Sequence, residues 1–215
     1  MATDTDAEKI KTILGDNLVT LAQYQTGDEM TLLAVCNSID FDTLHKLKGT
    51  REIPLLLTKE ELLDGADVFP IEFLNIKQHH TMLDGEDLLK DLVISKKHLR
   101  HQLEFEFRSK LLHLRGEYLR FKGKDLKRLI LAAVPVLAPV IGALLYLKDL
   151  PPSSPGDMCG AVSDAYDVDT NVLREIYDIR RGNAKFKKEK EQYIRDIIKV
   201  LSDLGEIVDE FEAIE

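Results

Sequence analysis

The chain has few cysteines, the residues whose disulfide bonds stabilise small extracellular proteins. Its 215 residues include two cysteines, seven prolines and no tryptophan, and aromatic side chains make up 7%. Cys36 and Cys159 lie far apart and form no Cys-x-x-Cys pair, so a disulfide framework is excluded. The stretch MATDTDAEKIKTIL lacks a basic segment followed by an apolar one, so no secretory signal is expected. These features predict a protein of the reducing cytoplasm.

Positive charge is also scarce. The chain contains 29 Lys and Arg against 38 Asp and Glu, which gives a net charge of −9. Because clustered Lys and Arg drive binding to phosphate backbones, dedicated nucleic-acid binding is not expected. The sequence contains no G-x-S-x-G motif, P-loop, H-E-x-x-H motif or dinucleotide-binding glycine fingerprint, so it indicates none of the enzyme classes that these motifs mark.

The sequence does contain a globular mixture of residues, 44% hydrophobic and 31% charged, and one long apolar run. Residues 129–147, LILAAVPVLAPVIGALLYL, carry no charge, and their length approaches the ~20 residues that span a bilayer. Pro135, Pro139 and Gly142 interrupt the run. A membrane span and a buried helix kinked at the prolines both fit this pattern. We predict the buried helix and no membrane association.

Short apolar runs and helical stretches alternate before residue 95. The pattern predicts strands at 17–24, 30–36 and 68–78, a helix at 40–48 that begins at Asp40 or Asp42, and a helix that ends at Gly65. Thr58 and Glu61 have the spacing of a capping box at the start of the second helix. The run at 51–58 is too short to be assigned as strand or helix. Together these elements predict a small α/β layer.

A helical period dominates after residue 95. Apolar residues recur every three or four positions and predict one long amphipathic helix: Leu99, Leu103, Phe107, Leu111, Leu114 and Tyr118. The sequence PPSSPG at 151–156 separates helices, Asp169 is the predicted cap of the next helix with Gly182 as its end, and a last helix covers about 185–211. The fold class is therefore α+β, with an α/β domain at 1–94 and a helical domain at 95–215.

Two stretches resemble a known group of proteins. They are PLLLTKEELLDGADVFPIEFLNIKQHHTMLDGEDLLKDLVI and LRHQLEFEFRSKLLHLRGEYL. Both resemble small prokaryotic nucleotidyltransferase-like proteins of the DNA polymerase β superfamily, and the similarity extends over roughly residues 15–150. The run DVFPIEFL…LDGED…LR is its most specific part. The resemblance implies a small mixed nucleotidyltransferase-like sheet with flanking helices, followed by a helical bundle.

The chemistry of that superfamily requires three features. A Gly-Ser pair opens a helix after the first strand, so that backbone N–H groups hold the triphosphate. An Asp-x-Asp or Asp-x-Glu pair follows on the next strand, where alternate residues share a face. With a third carboxylate from a later strand, these side chains bind two metal ions that act on the attacking and leaving oxygens.

This sequence departs from the superfamily pattern at the positions that carry the chemistry. Residues 25–27 read Gln-Thr-Gly where the Gly-Ser pair is expected, and Glu29 and Thr31 stand at the Asp-x-Asp positions. Asp28 and Glu29 are adjacent, so on a strand they face opposite sides. Glu72, in the predicted strand 68–78, corresponds to the third carboxylate. Glu29 and Glu72 are thus vestigial candidates that are also explained as solvent-facing residues, and no catalytic or metal-binding residue is assigned.

The resemblance and its departures together predict a non-catalytic nucleotidyltransferase-like pseudo-enzyme that binds a nucleotide or a protein. Gly27 and Asp28 are interpreted as a hairpin turn rather than a phosphate loop. One alternative is an active Mg²⁺-dependent nucleotidyltransferase that uses a nucleoside triphosphate through Glu29, Glu72 and a further carboxylate; only then would Mg²⁺ and ATP be cofactors. The other is a structural module whose helical half mediates homo-oligomerisation.

The histidines are interpreted as structural. His79 and His80 are adjacent and would point to opposite faces of a strand, so a joint metal site is not predicted. His98 and His101 share a helix face, but no third ligand stands at a fixed spacing from them.

The basic residues of the helical half also have a simple explanation. Arg108 and His113 match the Arg-x4-His spacing of the HEPN ribonucleases, but they lie about 140° apart around a helix. Basic residues gather at 96–128 and 180–190, interleaved with glutamates. We predict that both segments are solvated helix faces.

Overall fold

The computed structural model describes residues 4–26, 29–151, 154 and 156–212. It divides into two compact units, Met1–Ser95 and Lys96–Glu215. Each unit is described by itself below.

The first unit is a four-stranded mixed sheet with helices. Among its described residues the helices are α1 (Asp4–Leu14), α2 (Phe41–Leu47), α3 (Lys59–Asp64) and α4 (Pro70–His79), and the strands are β1 (Leu18–Thr26), β2 (Glu29–Cys36), β3 (Leu55–Thr58) and β4 (His80–Gly85). The strand order is β3-β2-β1-β4. β1 is antiparallel to both β2 and β4, whereas β2 and β3 run parallel. The predicted α+β class with a small mixed sheet is confirmed.

The sheet is covered on both faces. Four consecutive residues of β2, Leu33 to Cys36, are each 0% exposed, and consecutive strand residues point to opposite faces. On one face the buried core joins β1 and β2 to α1 and α2: Ile10, Leu14, Leu21, Leu32, Ala34, Cys36 and Leu47. α3 contacts β2 and α4 contacts β1. Burial on both sides explains why β2 reads as an apolar run without alternation.

The predicted strand at 68–78 is wrong, because this segment forms helix α4. Pro70 occupies the first turn of the helix, where a missing backbone N–H leaves no hydrogen bond unmade. Glu72 follows in the same first turn, where a carboxylate is favoured by the helix dipole. Five of the ten residues are buried: Pro70, Ile71, Phe73, Leu74 and Ile76. Glu72 is therefore a helical residue, not a strand carboxylate.

The two short helices α2 and α3 begin at the caps that the sequence predicts. Asp40 accepts a hydrogen bond from the Thr43 backbone N–H at 2.7 Å. Thr58 accepts from the Glu61 N–H at 3.0 Å, and the Glu61 carboxylate accepts from the Thr58 N–H at 2.7 Å. The predicted capping box is confirmed, and Gly65 is the C-cap of α3.

Replacing Thr58 by alanine removes one half of this capping box. We expect the free energy of unfolding to fall by about 1 kcal/mol, the usual effect of losing a threonine N-cap. Urea denaturation followed by circular dichroism measures the change. Thr12→Ala is the matched control, because Thr12 only bonds back to the Glu8 carbonyl within α1, at 2.8 Å. If both variants lose the same stability, the capping account is wrong.

The second unit is a bundle of helices. Among its described residues these are α5 (Lys96–Arg120), α6 (Lys124–Leu147), α7 (Met158–Tyr166), α8 (Asn171–Arg180) and α9 (Lys190–Glu210). The long amphipathic helix predicted after residue 95 is α5, and the last predicted helix is α9. The cap of α8 is Thr170 rather than the predicted Asp169, although the Asp169 carboxylate accepts from the Asn171 N–H at 3.0 Å.

Helix α6 contains the uncharged run of the sequence. Among the described residues it is the one helix whose length and composition would allow it to cross a membrane. It contacts α5, α7, α8 and α9, and its buried residues concentrate in its C-terminal half: Leu137, Val140, Ile141, Ala143, Leu144, Leu145 and Leu147. Pro135 and Pro139 lie inside the helix. Packing against four neighbouring helices accounts for the apolar character of this half.

Candidate functional site

The region that corresponds to the catalytic motif is the end of the β1–β2 hairpin. The two strands remain paired up to Thr26 and Glu29, so only two residues of the chain separate them. These residues, Gly27 and Asp28, were predicted as a hairpin turn and lie outside the described residues. The connection between the paired ends of β1 and β2 is thus two residues long.

Glu29 and Thr31 lie on the same face of β2. Glu29 is paired with Thr26, and Thr31 with Tyr24; residues directly opposite each other in an antiparallel pair share a face. Leu32 belongs to the core that includes α1 and α2, so Glu29 and Thr31 belong to the opposite face. The Glu29 side chain is exposed. This face therefore presents one carboxylate and one hydroxyl where the superfamily pattern has two carboxylates.

A buried phenol stands beside Thr31. Tyr24 is 9% exposed and lies across from Thr31 on one side and His80 on the other. Burial raises the pKa of the Tyr24 phenol, and a side-chain hydrogen bond with Thr26 works in the opposite direction. The phenol is therefore neutral at physiological pH and cannot supply the missing negative charge.

His80 and His79 make structural contacts. His80 Nδ1 lies 3.0 Å from the Lys77 carbonyl oxygen, and its Nε2 lies 3.3 Å from Asp87 Oδ1. His79 Nδ1 lies 3.0 Å from the Asn75 carbonyl oxygen. His79 ends α4 and His80 begins β4, so the two residues do not lie on one strand. Both rings thus have polar partners within the chain.

Helix α4 is tied to the hairpin end by Asn75. Its side-chain amide donates to the Gln25 carbonyl oxygen at 2.9 Å. Glu72 precedes Asn75 by about one helical turn and is exposed. Within the described ranges 4–26, 29–151, 154 and 156–212, no three His, Cys, Asp or Glu side chains form a group that could hold a metal ion. Sequence reasoning missed Asn75 and Tyr24, and the only signal for Tyr24 was its position at the end of the first predicted strand.

Arg108, one of the candidates of the helical half, takes part in ion pairs. Arg108 contacts the Glu104 and Asp209 carboxylates, each at 3.0 Å, and so joins α5 to α9. His113 is exposed, five residues further along α5. His101 Nδ1 lies 3.2 Å from Arg100 Nη1. These contacts give Arg108 acidic partners on both α5 and α9.

Basic residues at 96–128 and 180–190 also pair with nearby acids. Lys110 contacts Glu106 at 2.6 Å, and Arg120 contacts Glu117 at 3.2 Å. Lys188 lies 3.2 Å from Asp196. The exposed pairs contribute little stability individually. They show that part of the positive charge in both segments is compensated within the helical unit. The predicted helix face is wrong for the second segment, because residues 181–189 lie between α8 and α9 and are not helical.

The comparisons with known proteins identify the fold. No family model matches the chain, and no curated protein matches it. Among solved structures, the spectinomycin adenyltransferase AAD(9) from Enterococcus faecialis, in complex with ATP and spectinomycin, is similar over 97% of this chain and 100% of that one, with a TM-score of 0.53 and 13% identity. The chain has a nucleotidyltransferase-like fold. At this identity the similarity shows the fold alone, so the function must be argued from the residues.

Proposed function

We propose that this protein is a non-catalytic member of the nucleotidyltransferase-like fold that binds a nucleotide or a protein partner. The observation that carries the proposal is the pair Glu29 and Thr31, which share a face of β2 at the hairpin end. A catalytic pair of metal ions needs converging carboxylates, because Mg²⁺ is held by charged oxygen ligands. A neutral threonine hydroxyl at the second position supplies none of this charge.

The connection between β1 and β2 supports the same proposal. Triphosphates are held at helix N-termini, where several backbone N–H groups point at the anion. With Thr26 paired to Glu29, the chain has two residues at this point instead of a loop and a helix. A connection of two residues is too short to contain the helix N-terminus that would orient the leaving pyrophosphate in the superfamily pattern.

A nucleotide is the first ligand to test. The solved structure with the similar fold contains ATP, and the base and ribose of a nucleotide can be bound without the metal ions that transfer requires. A protein partner is the alternative ligand of the same proposal. The active enzyme remains the competing function, since Glu29 and Glu72 are both exposed carboxylates.

Isothermal titration with ATP, in Mg²⁺ and in EDTA, tests the proposal. We expect ATP to bind equally well in both conditions, because Glu29 alone does not hold the metal. Glu29→Gln is expected to leave the dissociation constant unchanged within twofold, as is the control Glu60→Gln on α3. Binding that requires Mg²⁺ and is lost in Glu29→Gln alone would support the enzyme instead. If no heat is detected in either condition, a nucleotide is excluded as the ligand and a protein partner remains.

A further inference from the structure

Helix α5 carries large apolar side chains on two opposite faces. One face is buried in the helical unit and consists of Leu99, Leu103, Phe107 and Leu114. On the other face Phe105, Leu112 and Leu119 are 66%, 68% and 81% exposed. These three residues, the α5 stripe, are spaced by seven and therefore line up along about 21 Å of the helix. Large exposed side chains in a row mark an interaction surface.

Small residues lie between the members of the stripe. Ser109 and Gly116 follow Phe105 and Leu112 by four residues, which gives the four-three spacing of a helix-pairing seam. Gly116 lies inside α5, where glycine is among the least favourable residues. A Cβ atom added there would meet no atom within 4 Å. Packing among the described residues thus does not require this glycine, whereas close approach of another helix would.

We propose that the α5 stripe is the docking surface for a second copy of this chain, with the two α5 helices antiparallel. We propose the register in which Leu112 of each copy faces Ser109 of the other. Phe105 faces Gly116 in the same register. Each of these two contacts therefore places a large side chain against a small one. A parallel pair would instead set large residues against large ones and Gly116 against Gly116. Alternation of large and small side chains across a seam is what close packing requires.

The charges beside the stripe are compatible with this pairing. On one edge Glu106 of each copy lies near His113 of the other. On the opposite edge Arg115 lies near Arg108 of the second copy, whose guanidinium is bound by Glu104 and Asp209, each at 3.0 Å. These carboxylates are partly exposed and offset the like charge that Arg115 meets.

The size of the stripe predicts a weak dimer. A seam of about 21 Å between two helices falls among the small interfaces, and those that bury less than about 1,200 Å² in total belong mostly to transient complexes. We therefore expect a monomer–dimer equilibrium in the micromolar range rather than a permanent dimer.

Sedimentation equilibrium of the full chain between about 1 and 200 μM tests the proposal in the concentration range expected for a transient interface. We expect dimerisation that Leu112→Glu abolishes and that Val93→Glu leaves intact; Val93 is a control outside the stripe and is 81% exposed, against 68% for Leu112. Gly116→Ala is expected to raise the thermal midpoint and yet weaken dimerisation at least tenfold. If Gly116 had a purely structural role, the thermal midpoint and the strength of dimerisation would not change in opposite directions. A monomer at every concentration, or a dimer that survives Leu112→Glu, overturns the proposal.

Engineered cysteines test the orientation. Cys36 and Cys159 are both buried, so new surface cysteines dominate the oxidation products. A mixture of Ser109→Cys and Leu112→Cys copies is expected to form a disulfide between the two variants. Leu119→Cys copies are expected not to cross-link, because the two positions lie roughly 25 Å apart in the antiparallel pair. Cross-linking of Leu119→Cys alone would show a parallel pair and overturn the proposed arrangement.

Discussion

Replacing Gly85 by alanine is expected to lower the free energy of unfolding by about 3 kcal/mol or more, through backbone strain and a steric clash. Gly85 ends β4 with φ +79°, and a Cβ atom there would lie 2.1 Å from the carbonyl oxygen of Val19 and 3.0 Å from its carbonyl carbon. Both atoms belong to the backbone of β1, and the same oxygen accepts the Glu86 N–H at 2.9 Å. The methyl group can fit only if β1 and β4 move apart.

Gly15→Ala is the matched control for this prediction. Gly15 also has a positive φ, +50°, but a Cβ atom there would meet nothing within 4 Å. Its substitution therefore adds backbone strain without a clash, and we expect a loss of about 1–2 kcal/mol. Urea denaturation of the two variants separates strain from clash, and hydrogen exchange of the β1 amides should increase in Gly85→Ala alone. Equal losses in both variants would show that the clash is relieved without cost.

Replacing Phe107 by alanine is expected to destabilise the helical unit by about 3–5 kcal/mol, the range for a buried phenylalanine. Phe107 is 0% exposed, and it lies where α5 contacts α9. A Cβ atom added at Gly205 of α9 would lie 3.5 Å from the Phe107 Cβ, so the two helices approach closely there. Because the backbones are already close, neighbouring side chains have little freedom to fill the cavity.

Phe105→Ala provides the comparison within the same helix. Phe105 is two residues away from Phe107 and is 66% exposed, so its removal leaves no cavity. We expect its free energy of unfolding to change by less than about 0.5 kcal/mol at concentrations where the chain is monomeric. Guanidinium denaturation monitored by circular dichroism measures both variants. A loss at Phe105 as large as that at Phe107 would contradict the assigned burial.

The sequence was sufficient where local signals agree with the tertiary packing. β1 and β2 are apolar runs of strand length, α5 carries an apolar stripe of helical period, and the caps at Asp40 and Thr58 are local hydrogen-bonding units. These elements were predicted with ends within a few residues of the observed ones. In these elements the local pattern and the tertiary packing favour the same structure.

Helix α4 and strand β4 could not be predicted in this way. In α4 the buried residues occupy half of the positions, and Ile71, Phe73 and Ile76 imitate the alternation of a strand. Pro70 at the first turn was the one signal for a helix. Among the described residues β4 is an edge strand that pairs with β1, and it contains a single β-branched residue, Thr81. Its position follows from tertiary pairing, which no local pattern reveals.

Some residues of the candidate site were predicted from the sequence, and others are revealed only by the fold. The spacing of Glu29 and Thr31 is a property of the sequence, and the strand pairing places both residues on one face. The position of Glu72 was misjudged together with helix α4. Asn75 and Tyr24 enter the site only through the fold, since one donates from α4 to β1 and the other is buried beside Thr31.

Pyrophosphate release is the measurement that tests the central claim most directly. The purified chain is incubated with α-labelled ATP and Mg²⁺, with water as the acceptor, and both pyrophosphate and labelled product are counted. If the protein is non-catalytic, the rate equals that of a protein-free control, and Glu29→Gln and Glu60→Gln behave like the unaltered chain. Pyrophosphate formed at a rate that Glu29→Gln abolishes and Glu60→Gln preserves would contradict the account.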